Sequence, residues 1–132
     1  MATRSTIALE FADGTVHQVY CHWDGYLEGN GAMLVQHYMD PFKVKQLLVL
    51  GGFSSLEASV EDTKKTAYHS ARGEELMINK FKDFEDYVEN HQYEEFEYIL
   101  RQVNGKAVWF VDCGATGYVT LETAFENEKE TA

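Results

Sequence analysis

The stretch YCHWDGY, residues 20–26, sets a thiol, an imidazole and a carboxylate within four positions and frames them with tyrosines. Cys21, His22 and Asp24 are metal-ligand types, and a cysteine near a histidine is the pairing used by thiol nucleophiles. Their order argues against both uses. Neighbours on a strand point to opposite faces, so Cys21 and His22 cannot readily share one ion. No CxxC, HExxH or HxH pattern accompanies them, and His17, His37, His69 and His91 are scattered. Cys113 is the only other thiol. Two cysteines in an intracellular chain read as reduced, packed residues. No GxSxG elbow is present, and neither GNG at 29–31 nor GG at 51–52 has the lysine or spacing of a phosphate loop. The sequence therefore assigns no catalytic residue, no metal and no cofactor.

Asp24-Gly25 suits a chain corner, where the aspartate accepts backbone hydrogen bonds. Buried beside Trp23, the same carboxyl would instead titrate high. The motif reads as a strand end and a turn, with Cys21 and Trp23 packed inward and Tyr26 lying over the following helix. The alternative is a pocket for a small ligand, such as a nucleotide signal, formed by Tyr20, His22, Asp24 and Tyr26.

Charge is the stronger signal. Eleven basic residues face 22 acidic ones, for a net charge of −11. Such a chain is repelled by nucleic acid and by anionic membranes, and attracted to basic protein surfaces, including those that normally hold nucleic acid. The acids concentrate between Glu74 and Glu97, where only Lys80 and Lys82 oppose them. Asp83, Glu85, Asp86, Glu89, Glu94, Glu95 and Glu97 are the candidate partner-binding residues. Glu85 and Glu89 are spaced i,i+4 for one helix face, and like charges so placed repel slightly. Glu95 and Glu97 share one face of a strand, about 6.7 Å apart. A row of carboxylates at such spacings can stand in for backbone phosphates in a basic groove. Phe84, Tyr87, Tyr93, Phe96 and Tyr98 interleave with the acids and offer contact anchors. The plainer reading is a solvated face that aids solubility.

The elements that must position these groups follow from periodicity. Ile7, Leu9 and Phe11 alternate with Ala8 and Glu10, Asp13-Gly14 signals a hairpin, and VHQVYCHW returns. Asn30 is a candidate N-cap for a short helix carrying Met33, Leu34, His37 and Tyr38. Asp40-Pro41 starts a second helix with Val44, Leu47 and Leu48 inward, and Gly51 or Gly52 stops it. This helix pair lacks the basic face of a DNA reader. Residues 53–72 read as a loop with one short strand near Thr66–His69, and GEELMINKF is ambiguous. Asp83–His91 reads as a helix burying Phe84, Tyr87 and Val88. YEEFEYILRQV, the Asn104-Gly105 turn, KAVWFVDC and GYVTLETAF read as a meander of strands. The expected fold is α+β: an antiparallel sheet, built from an N-terminal β-hairpin and a C-terminal β-meander, with helices packed on one face. One domain spans 1–132, and 127–132 is expected to fray. No apolar run, Leu47–Leu50 included, is long enough for a membrane span, and no signal-peptide pattern opens the chain, so the expected location is cytoplasmic.

Residues 19–56, VYCHWDGYLEGNGAMLVQHYMDPFKVKQLLVLGGFSSL, resemble a family of small proteins encoded by phages and prophages. The resemblance rests on Tyr20 through Tyr26 and continues at Gly31, Tyr38, Val44, Leu47, Gly51, Ser54 and Leu56. It departs at Gly52, where the pattern carries an acid, and it is looser over 57–132. It implies a viral setting inside a host cell. Small acidic phage proteins are often inhibitors of host machinery, and several resemble DNA in charge layout and occupy the grooves of gyrase, RNA polymerase, or restriction and CRISPR nucleases. The resemblance thus points to a host nucleic-acid-handling protein as partner. A structural phage component that forms a homodimer or larger assembly through exposed sheet edges is the other reading of the same setting.

Overall fold

The computed structural model describes residues 2–91 and 93–131. Strands β1 (Ser5–Glu10) and β2 (Val16–Cys21) form the N-terminal hairpin. Asp13 closes its turn by accepting from the backbone N–H and hydroxyl of Thr15 at 3.0 and 2.7 Å. A π-turn over Leu27–Gly31 leads into α1 (Ala32–His37) and α2 (Pro41–Leu48). Asp40 caps α2 by accepting from Phe42 N at 3.0 Å, and Pro41 stands at the first helical position, as its missing N–H favours. Gly51 ends that segment at φ 74°, a conformation that costs glycine little.

Two short helices follow, α3 (Val60–Lys64) and α4 (Tyr68–Arg72). The expected loop with a strand near Thr66–His69 is thus half helical. Its strand character survives only as a single bridge between Phe53 and Ala67. The ambiguous GEELMINKF supplies β3 (Asn79–Phe81), after which come α5 (Phe84–Asn90), β4 (Phe96–Val103), β5 (Lys106–Cys113), β6 (Tyr118–Thr120) and α6 (Leu121–Thr131). The strand expected across GYVTLETAF stops at Thr120, and the tail expected to fray from 127 is helical to Thr131. Thr120 caps the turn into the helix by accepting from Thr123 N at 3.1 Å, and Leu121 and Ala124 recur at helical spacing on a buried face.

The class is α+β, with the β1–β2 hairpin and the β4–β6 meander both present. The strands form one sheet in the order β3-β2-β1-β4-β5-β6. Every pairing is antiparallel except β1 with β4, which is parallel. The central strand β1 is buried on both faces. Ile7 and Leu9 join Val19, Cys21, Tyr98, Leu100, Trp109 and Val111 in the main core, under residues of α1, α2 and α6. Ala8 points the other way and meets Val16, Ile99 and Tyr87 of α5. The helices are therefore not confined to one face: α5 covers the second, which a strand with a fully buried Ala8 requires.

The main core is tied to the YCHWDGY corner. The Tyr98 hydroxyl, fully buried, donates to the Gly25 carbonyl at 2.7 Å. A Cβ on Gly25 would lie 2.7 Å from the Thr3 carbonyl and 2.8 Å from Ser5 Cβ, so only glycine fits against the start of β1. Replacing Tyr98 by Phe leaves that carbonyl without its donor. We expect a loss of about 1–2 kcal/mol, read as a lower urea midpoint at unchanged slope. An unchanged midpoint would show that the bond contributes nothing.

Candidate functional site

The YCHWDGY corner is built as a joint. Cys21 is fully buried at the end of β2, and its thiol meets the Trp23 and Ser54 carbonyls at 3.6 and 3.8 Å. Burial pushes its pKa up to about 11, so the nucleophilic thiolate is suppressed. Asn30 is not the helix cap expected from its position. It is buried in the π-turn, and its amide donates to Ser5 Oγ at 3.0 Å, Cys21 Sγ at 3.3 Å and the Trp23 carbonyl at 3.2 Å. Asp24 makes the corner at φ 59°, a conformation that aspartate tolerates better than most residues.

Trp23 does not pack inward: it is 45% exposed, with its ring edge-on to His22 at 4.6 Å. Strand alternation carries it toward the core only while the strand lasts, and β2 ends at Cys21. Tyr26 is also exposed. The four candidate pocket residues form two pairs. Tyr20 and His22 share a 2.7 Å bond, and the Tyr26 hydroxyl reaches Asp24 at 3.4 Å. Tyr20 borders a hollow of about 270 Å³ shared with Tyr68 and Met77, on the β3 side of β2. Among the described residues, no group of three or more His, Cys, Asp and Glu side chains is placed to hold a metal ion.

The acidic segment separates into three kinds of carboxylate. Asp83 and Asp86 serve helix α5. Asp83 accepts from Asp86 N at 2.7 Å, and Asp86 accepts from Lys82 N at 2.9 Å and from the Asn90 amide at 2.7 Å. The two close a reciprocal cap of the kind that satisfies free N–H groups at a helix start. The Lys82 N–H bond, with the Asn90 amide, holds the Asp86 carboxyl below the usual range.

Glu97 is a different case and corrects the expected strand row. It shares a strand face with Ile99, as its parity requires, but that face lies under α5. Its side chain is 0% exposed and pairs with His91, at 1%. The register sets Tyr20, Thr6, Glu97, Asp112 and Tyr118 side by side across five strands. Thr6 and Asp112 are buried too. Asp112 accepts from Thr116 N and Gly117 N at 2.8 and 3.2 Å, and Tyr118 donates to the Tyr87 hydroxyl at 2.9 Å. His91 Nδ1 donates to the Tyr87 carbonyl at 2.5 Å, which directs Nε2 at Glu97. The His91 ring stacks on Tyr87 at 4.5 Å. Geometrically this is a histidine–carboxylate dyad of the kind that moves protons, but it is sealed from solvent and from substrate.

The third kind is exposed. Glu85, Glu89 and Glu95 face solvent, and Glu94 is half-buried. Glu95 accepts weakly from Arg4 N at 3.4 Å. Among the described residues none of the four forms a salt bridge, although Arg101 reaches Glu10 at 3.2 Å on the same side of the sheet. No protein-family model matches the chain, and no curated protein or solved structure matches it.

Around these acids most of the five aromatic anchors are committed elsewhere, and the burial of Tyr87 is what the helix reading expected. Tyr87 and Tyr98 are fully buried, and Phe96 lies partly in the main core. Phe84 lies under the Arg101 guanidinium at 3.7 Å. Tyr93 alone of the five is broadly exposed, at 57%, with its hydroxyl 3.5 Å from the Val88 carbonyl. Val88, expected to be buried, is partly exposed instead. Glu10 was missed: with Asp83, Phe84, Glu85 and Val88 it lines a shallow acidic cleft of about 590 Å³. The alternation of Ile7 and Leu9 with Ala8 and Glu10 held that signal, because it sends Glu10 to the face that α5 covers.

The dyad sets a pH dependence. Burial alone would lower the His91 pKa, but contact with Glu97 outweighs it, and the net shift is upward from 6.5. Glu97 is raised from 4.5 because burial exceeds the opposing pull of His91, with Asp112 and Glu94 adding to the rise. Both groups bind protons more tightly folded than unfolded, so their joint contribution is largest at low pH and declines as pH rises. The advantage of wild type over Glu97→Gln should be greatest near pH 4.5 and shrink as pH passes 6.5, measured by urea unfolding across that range. A gap that stays constant with pH would rule out the dyad as its source. His91→Ala, which strands the buried carboxylate, should cost about 3–5 kcal/mol.

Proposed function

We propose that the chain is a non-enzymatic, acidic binding protein that docks the outer ridge of α5 and the segment after it on a basic surface of a partner. The observation that carries this is the patch of Glu85, Val88, Glu89 and Tyr93. Two carboxylates, with no salt-bridge partner among the described residues, flank an exposed valine and an exposed tyrosine held against it. Glu95 extends the charge beyond the ridge. Such a layout joins electrostatic steering to an aromatic anchor.

The supporting footprint is narrower than the seven-residue set read from the sequence. Asp83 and Asp86 are engaged in the cap and Glu97 is inside, so of the strand row only Glu95 contributes. On the helix, Glu85 and Glu89 stand about 6 Å apart along the axis. A groove that ordinarily holds nucleic acid is the kind of surface this pair fits. The resemblance to phage proteins favours a host nucleic-acid-handling protein as its owner, with inhibition by charge mimicry as the consequence.

The test is a charge reversal. Glu85→Lys, Glu89→Lys and Glu95→Lys combined should leave the melting transition cooperative, because all three are exposed. Capture of the partner from host lysate should fall at least about tenfold, and wild-type capture should fall similarly between ~0.05 M and ~0.5 M salt. Undiminished capture by the reversed protein would refute the reading.

A further inference from the structure

The opposite side of the molecule carries a second, chemically different surface. On the main-core face, α1 and α6 leave a groove of about 470 Å³ between them. Trp109 of β5 lies at its floor, with its indole N–H donated to the Tyr38 carbonyl at 3.0 Å. Val35 and Met39 form one wall, and Phe125 of α6 forms the other. Val35 and Met39 are 42% and 44% exposed, high values for side chains beside a core. Glu122 and Glu126 stand on the α6 rim, exposed and outside every salt bridge among the described residues.

The rim selects the occupant. Glu122 and Glu126 are one helical turn apart, about 6 Å along α6. A helix laid along the groove with Lys or Arg at i and i+4 repeats that spacing, while its apolar face at i+3 and i+7 reaches Met39 and Phe125. A second copy of this chain is disfavoured, because it adds another −11 of charge and a second pair of rim carboxylates.

We propose that this groove binds a basic, amphipathic helical segment of another protein. It does not depend on the α5 ridge, which lies across the sheet, so each surface can fail alone.

The experiment uses the full chain with Trp23→Phe, which leaves Trp109 as the only indole. The probe is a Leu/Lys amphipathic peptide of about 14 residues, some four helical turns, and the control is the same peptide with Glu for Lys. The lysine peptide should give a saturable change in Trp109 emission and bind at least about tenfold more tightly than the control. Met39→Asp should weaken it about tenfold or more, since a carboxylate then lines the apolar wall. Glu122→Lys with Glu126→Lys should invert the preference between the peptides. Glu85→Lys with Glu89→Lys should change nothing. All substituted side chains are exposed, and thermal melts verify that each variant folds. Equal affinity for the two peptides, no saturable Trp109 response, or binding indifferent to Met39→Asp would each overturn the proposal. So would a concentration-dependent dimer that Met39→Asp disperses, because a second copy would then be the occupant.

Discussion

A carboxylate in the middle of a sheet covered on both faces must have a partner, and Glu97 is such a carboxylate. Leaving it charged and alone would cost several kcal/mol, which no compact domain of this size tolerates easily. Histidine 91, at the end of α5, meets it. That contact fixes more than one bond. It sets the rotation of α5, stacks Tyr87 under the helix and brings Tyr118 to the Tyr87 hydroxyl. With the inner face of α5 committed, Glu85, Val88 and Glu89 can only face outward. The surface proposed to meet a partner is thus a by-product of how an internal charge is held.

The same logic governs the motif that looked most reactive. A thiol, an imidazole and a carboxylate in succession become three unconnected structural devices. Cys21 seals the end of a strand, His22 accompanies Tyr20 and Trp23, and Asp24 bends the chain. Asn30, which has no reactive appearance, does the joining, with one amide serving Ser5, Cys21 and Trp23. Chemical type alone says little about role. The faces that strand alternation gives to neighbouring residues say more.

Local signals in the sequence carried much of the fold. The hairpin at Asp13-Gly14, the Asp40-Pro41 helix start, the helix beginning at Asp83 and the Asn104-Gly105 turn are short-range and were legible. Strand parity placed Tyr98 and Leu100 opposite Glu97 and Ile99, as found. What sequence could not convey was which face each helix would cover. That hid the burial of Glu97, the exposure of Val88 and the membership of Glu10 in the acidic cleft. Residues 121–131 failed for another reason: Leu121, Ala124 and Phe125 suit either a strand or a helix until packing decides. The carboxylates were correctly seen as abundant, but abundance could not separate those that cap, those that are buried and those that remain exposed.

Both borders of the sheet are three residues long, β3 with Lys80 at its centre and β6 running straight into α6. So short a border offers few free backbone groups to an incoming strand, and a lysine makes the approach worse. End-to-end growth into fibrils is thereby starved of a template. Contacts of this chain with others are therefore left to side chains.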